Sequence, residues 1–414
     1  MTSEIAVMNQ RAIALAADSA VTLIDGGKIV VRNDARKLFQ LLDGVPVGAM
    51  VFGMGEIMGH PWEVLLEHFR KRHKSGTLRR VRDYAAAFTG MLDNLEEFFP
   101  RARQKDEYKW LLAAVFRFVF RLAHYLHESG AKGPDEEILR LAIELVWKRY
   151  QFREDGSPRR DLPCFPPGFA ETMAREHAGI ADELIAYGFS AFVLDAASRQ
   201  RLHDIAVWCV LKDLFLEDVT GLVFAGYGSE ELYPVAVTCN ASAVICGIVK
   251  RAEADVTAIG SDMHSAITLY ADCEVTYSFL RGIELDLEAR IYGTVEAMSR
   301  ALVDKLADAF TGIDPAERES VRRRFQAQHL PQHMRQLYGL ISEYQQEAYI
   351  NPILKVLAIA TRKDLAEMAH DLVALNIFKK RIMAQKQTVG GAIDVAVISR
   401  EAGFAWWKQQ GARP

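Results

Sequence analysis

The start of the chain is its strongest constraint. Two short apolar runs, EIAVMN (4–9) and AIALAAD (12–18), follow one another around a turn containing Asn9 and Gln10. Chain ends usually fray, and isolated end strands would not hold, so these two need partners from elsewhere in the sequence. Gly26 and Gly27 lead into KIVV, and KLFQLL and PVGAMVFG are joined by Asp43-Gly44, a dipeptide that favours hairpin turns. Five strands in about fifty residues predict a dense antiparallel opening.

After Gly55 the period changes. Ile57, Trp62, Leu65, Leu66 and Phe69 recur at helical spacing within 56–73, and a second helix is expected after Ser75-Gly76-Thr77, ending near Phe98. From 106 to about 216 most of the chain is helical, broken by FREDGSPRRDLPCFPPG; this block has the character of a helical insertion. Strand patterns return with GLVFAGYG, ELYPVAVTCN and AVICGIV, and VTAIGSD and AITLYAD are candidates to continue the same sheet. Helices then fill 284–383, with breaks at Gly312-Asp314-Pro315 and His329-Leu330-Pro331, before β character resumes in VGGAIDVAVISREAGFAWWK. Strands at both ends and in the middle predict an α+β arrangement of antiparallel sheets with helices outside. The expected divisions are 1–98, a helical insertion over 99–217, and 218–414.

Composition narrows the function. Of 414 residues, 50% are apolar and 25% charged, with a net charge of −4. This is ordinary globular chemistry, with no general attraction to nucleic acid or acidic surfaces. Cys164, Cys209, Cys239, Cys246 and Cys273 lie far apart with no CxxC pair, which points to reduced thiols instead of a disulfide framework or a zinc site. Met-Thr-Ser-Glu lacks the basic region of a secretory signal, and WLLAAVFRFVF is interrupted by Arg117 and too short to cross a bilayer. The expectation is a soluble, cytoplasmic protein with neither membrane nor nucleic-acid partners. His124 and His127 sit three apart on an expected helix beside Glu128, too few ligands for a metal, while His329 and His333 straddle Pro331. RKRHKSGTLRR (70–80) has no interleaved aromatic residue for base stacking and is taken as a solvated face. GYG and GMG match no phosphate-binding fingerprint.

The second residue carries the sharpest chemistry. If Met1 is removed, Thr2 presents a hydroxyl nucleophile and a free α-amine on one residue. Such an amine has an ordinary pKa near ~8, so modest tuning makes it a base able to take the hydroxyl proton. A nearby cation would lower its pKa, an acid would hold that cation, and a donor would receive the oxyanion. Lys37, Asp18 and the backbone N–H of Gly53, where VFGMGE passes from strand to helix, are residues of the right types. Each has an ordinary alternative: a turn aspartate, an edge-strand lysine and a strand-end glycine.

Taken in order, these residues resemble the opening of proteasome β-subunits and their bacterial homologue, members of the N-terminal-nucleophile hydrolases. Thr2 matches the terminal threonine, Asp18-Ser19-Ala20-Val21-Thr22 the Asp-x-x-x-Thr string, Lys37 the strand lysine, and Gly53 the oxyanion glycine. GLVFAGYGSEELYPV resembles the family's Ala-Gly-Tyr hairpin, and IDVAVI its closing strand. The likeness covers the first 70 residues well, about forty near Gly221 less well, and the tail loosely. The chain departs from the pattern at Ala20, where the family usually has arginine, and in the helical insertion. The Ser-Gly pair that supports the amine has two possible counterparts, Ser261 or the Asp272 region. The Asp-x-x-Ser near the last strand has no clear one, the tail there being KQTVGG.

The resemblance implies a four-layer αββα sandwich with a large helical insertion. It implies hydrolysis of a peptide or small amide through an acyl-enzyme on Thr2, with Asp18 orienting Lys37 and Thr22 lining the cleft. No cofactor or metal is required, and homo-oligomers are expected. The alternative is an inactive scaffold or partner-binding protein on the same fold.

Overall fold

This computed structural model describes residues 3–25, 28–73, 76–216, 219–309, 312, 314–383 and 389–409, with the side chains of 22–31 outside that description. Thr2 therefore lies outside the described residues. The fold is mixed α+β with antiparallel sheets. Contacts divide it into two bodies, one formed by 1–35, 259–397 and 406–414, the other by 36–258 and 398–405.

The first body is organised by a five-stranded sheet in the order Ser265–Ala271, Ser3–Asn9, Ala12–Asp18, Ile393–Ser399, Gly403–Lys408. The opening strand is thus interior, paired antiparallel on both sides: Ser3 opposes Ala271, Asn9 opposes Ser265, and Glu4 opposes Ala17. Every residue of the first two strands is buried, so the apolar runs are continuous instead of alternating. Ile5, Val7, Ala12, Ala14 and Ala16 pack with Leu365, Ala366, Ala369, Leu372 and Val373 of helix Arg362–Ile382. That helix opens with a capping box: Thr361 Oγ1 accepts the Asp364 N–H while the Asp364 carboxylate accepts the Thr361 N–H. Strand Ser265–Ala271 belongs to this sheet, whereas VTA (256–258) ends a strand of the other; the turn at Gly260–Ser261 separates two sheets that the sequence had left as one. Helices Leu285–Ala309 and Leu330–Gln345 meet around Tyr292, Leu330 and Met334.

The second body contains a five-stranded sheet in the order Ile248–Ala258, Val235–Ile245, Thr220–Gly226, Val47–Gly53, Leu38–Gln40. Helices Trp62–Arg72 and Val81–Met91 supply Trp62, Leu65, Leu66, Phe69, Tyr84 and Phe88 to a core shared with Phe224 and Val237. The first of these helices starts at Trp62, directly after Pro61, and not at 56; residues 56–61 instead form a tiny two-stranded ladder around Met58 and Gly59, both at positive φ. The helical block, led by Arg101–Glu128, Asp135–Gln151 and Ala196–Leu211, builds its own core and packs against Ala243, Ile245 and Cys246. One lysine is enclosed there. Lys250 is 2% exposed, donates to the carbonyls of Cys209 (2.7 Å) and Leu214 (2.6 Å), and lies 4.5 Å over the Phe215 ring. Burial lowers its pKa to about 8.

A buried polar cluster at the chain start

Burying polar groups costs free energy unless they are hydrogen-bonded, so a polar cluster against the middle of a sheet needs a reason. The first body has one beside Ser3. Asp18, the last residue of its strand, is 1% exposed; its Oδ1 accepts the Ser3 N–H at 3.1 Å and its Oδ2 the Gly390 N–H at 2.8 Å. The Asp18 carboxylate therefore ties the peptide group at the chain start to the segment entering strand Ile393–Ser399. The Gly-Gly pair at 390–391 makes this joint possible. Gly391 has φ +79°, and a β-carbon there would lie 2.3 Å from Ser19 Oγ, so a side chain is excluded by conformation and by space. Ser19 completes the corner, its N–H donating to Ala392 O and its hydroxyl to Asn33 O.

On the helix-facing side, Ser3 Oγ accepts from Asn376 Nδ2 at 2.7 Å, while Asn376 Oδ1 accepts the Thr276 N–H at 3.2 Å. One helical turn further, Lys380 is ion-paired with Asp272, their side chains only 8% and 10% exposed. Burial lowers the Lys380 pKa, and the negative charge of Asp18 works against that shift. Asp272 follows directly on Ala271, whose φ of +56° is in the left-handed region; a non-glycine residue is held there at a cost of about 1–2 kcal/mol. Cys273 donates to Tyr270 O at 2.9 Å and touches Ser3 Oγ at 3.7 Å, and burial raises its thiol pKa.

The residues expected from the sequence fall into two groups. Asp18 sits in this cluster, and of the two candidates for the supporting position it is Asp272 that joins it; Ser261 is exposed and bonded to Asp262, near the Ser265 end of the strand, opposite the end that meets Ser3. Lys37 and Gly53 belong to the second body. Lys37 is buried, and its carbonyl accepts the Val51 N–H. Gly53 has φ +81°, and a β-carbon would lie 2.3 Å from Val219 O, so close strand packing by itself requires glycine there. The Thr22 side chain lies outside the described residues.

Asn376 and Lys380 went unseen in the sequence. Their signal is positional: Leu365, Ala369, Leu372, Asn376 and Lys380 follow one buried helical stripe, so two polar residues occupy sites where the pattern calls for apolar ones. His124 and His127 are exposed on helix Arg101–Glu128. Among the described residues no group of three or more His, Cys, Asp or Glu is placed to hold a metal, and no helix is long and apolar enough to cross a membrane. No protein-family model matches the chain, and no curated protein does either.

Proposed function

We propose that this protein is an N-terminal-nucleophile amidohydrolase of proteasome type, acting through Thr2 once Met1 is removed. The observation that carries the reading is the buried Asp18 carboxylate gripping the N–H of Ser3, one peptide bond after Thr2. A sheet strand has no structural need for a buried carboxylate and a satisfied polar network at its first residue, and apolar packing there would serve stability as well or better. A site that must hold a reactive chain start does need them. The fold proposed is the four-layer αββα sandwich, supported by one helix-backed, five-stranded antiparallel sheet in each body.

In the reaction, the neutral α-amine of Thr2 takes the proton of its own hydroxyl as Oγ attacks the amide carbonyl. A backbone N–H receives the tetrahedral oxyanion, the role that the resemblance assigns to Gly53, and the amine then gives its proton to the leaving nitrogen. The resulting ester is cleaved by water, which restores Thr2. The resemblance assigns Lys37 to lowering the amine pKa. The resemblance assigns Asp18 to orienting that lysine. Peptides and small amides are the substrate classes, and self-association of the chain is part of the same proposal.

Intact-mass measurement of the purified protein, followed by treatment with a β-lactone, tests this. Loss of Met1 and a single adduct abolished by Thr2→Ala are expected. Retained Met1 would block the amine and refute the enzyme reading, leaving the inactive scaffold as the remaining role.

A further inference from the structure

We infer that an apolar groove on the first body docks a basic segment of a partner protein, one that sets bulky apolar side chains between lysines or arginines. Thr2 plays no part in it. The groove lies where helices Glu274–Arg281, Asn351–Ile359 and Arg362–Ile382 meet beside the outer strand Ser265–Ala271. It encloses about 360 Å³, within the range of sites that take a ligand. Ile267, Leu280, Ile353, Met368 and Leu372 form its apolar lining. At its lip the Phe279 ring is 56% exposed, so a large apolar side chain stays in water unless a partner covers it. Along one edge stand three carboxylates, Asp364, Glu367 and Asp371, on successive turns of a single helix. At 1.5 Å per residue this row is about 10 Å long.

The charge of the row selects the occupant. Lys363 stands 3.6 Å from Glu367 and offsets part of it. The Asp364 carboxylate accepts the N–H and the hydroxyl of Thr361, bonds that lower its pKa and keep it ionised. Asp371 meets His370 Nδ1 at 3.1 Å, while the other ring nitrogen of His370 lies 2.9 Å from Lys408 Nζ. A nitrogen that accepts from an ammonium carries no proton, so the imidazole is neutral and Asp371 keeps its full charge. An anionic edge beside an apolar lining is complementary to a ligand with cations beside apolar anchors. A single small cation meets one carboxylate at a time. A row about 10 Å long is matched by cations one and two turns apart on a basic amphipathic helix, the shape that lies in apolar grooves.

The test follows the fluorescence anisotropy of a fluorescein-labelled amphipathic helix of leucine and lysine as full-length protein is added. Saturable binding that weakens as salt is raised is expected, with no binding of a counterpart carrying glutamate for every lysine. Glu367→Gln combined with Asp371→Asn should weaken binding about tenfold at low salt. Met368→Arg, which puts a cation into the groove, should abolish it. The double variant changes only exposed carboxylates, so it reports on the charge even if Met368→Arg does not fold. Equal affinity in the wild type and the double variant overturns the inference, as does equal binding of the glutamate peptide or no binding at all. Displacement of the peptide by tetrabutylammonium at comparable concentration also overturns it, and makes the groove a site for small cations. Acylation of Thr2 is untouched by any of these results.

Discussion

Lys250 offers a test of the helical block that is independent of any catalytic reading. Its pKa falls from 10.5 to about 8 on burial, a change of 2.5 units, or about 3 kcal/mol of preference for the uncharged form in the folded state. Below pH 8 the group is charged in both states, and folding bears this full cost. Between 8 and 10.5 the unfolded chain binds the extra proton, so stability rises with pH by up to about 1.4 kcal/mol per unit. Above 10.5 the cost has disappeared. Lys250→Met removes the cost at every pH but leaves the Cys209 and Leu214 carbonyls without their donor, at about 1–1.5 kcal/mol each. Near pH 7 the two effects nearly cancel. The stability of the wild type relative to the variant should therefore climb by about 3 kcal/mol between pH 8 and 10.5. Urea unfolding, followed through the fluorescence of Trp147 and Trp208 in the same core, measures the difference at each pH, and titrations common to both proteins drop out. A difference that stays level across this window would refute the claim that Lys250 is enclosed and charge-strained.

Asn376→Leu should cost about 2–4 kcal/mol, because Ser3 Oγ and the Thr276 N–H both lose their partner in a buried setting; the midpoint of thermal unfolding reports it, and an unchanged midpoint would mean that the polar cluster is not as closed as described. Gly53→Ala should destabilise by about 1–3 kcal/mol through its left-handed backbone and the approach of Val219 O, seen in the same measurement.

The opening strands were legible because two short, mainly apolar runs that end in Asn9 and Asp18 have few other ways to bury themselves. Their partners were not, since nothing local states that Ala271 lies opposite Ser3 across the sheet. That long-range register is what separates Asp272 from Ser261. Without it the two could not be told apart. Lys380 escaped for the same reason: a lysine in an apolar stripe is an anomaly until its counter-charge, over a hundred residues upstream, is known. Gly390 and Gly391 stood where a family motif was missing, and their function came from a hydrogen bond to Asp18 and a backbone angle, neither of which leaves a side-chain signature. At 56–61 helical periodicity was overruled by Pro61, beyond which the helix does not extend upstream.

The discontinuous make-up of the first body has a consequence for synthesis. Ser265 follows Asn9 by 256 residues, so at 5–20 residues per second a ribosome needs about 13–50 s before the opening hairpin can meet its outer neighbour. Through that interval the nascent chain carries a ready-made apolar ribbon with unpaired edges, a target for chaperones and for mispairing with other chains. The cluster around Ser3 comes later still, since Asn376, Lys380 and Gly390 lie more than a hundred residues beyond Ser265. Until then Ser3 and Asp18 lack the partners that enclose them.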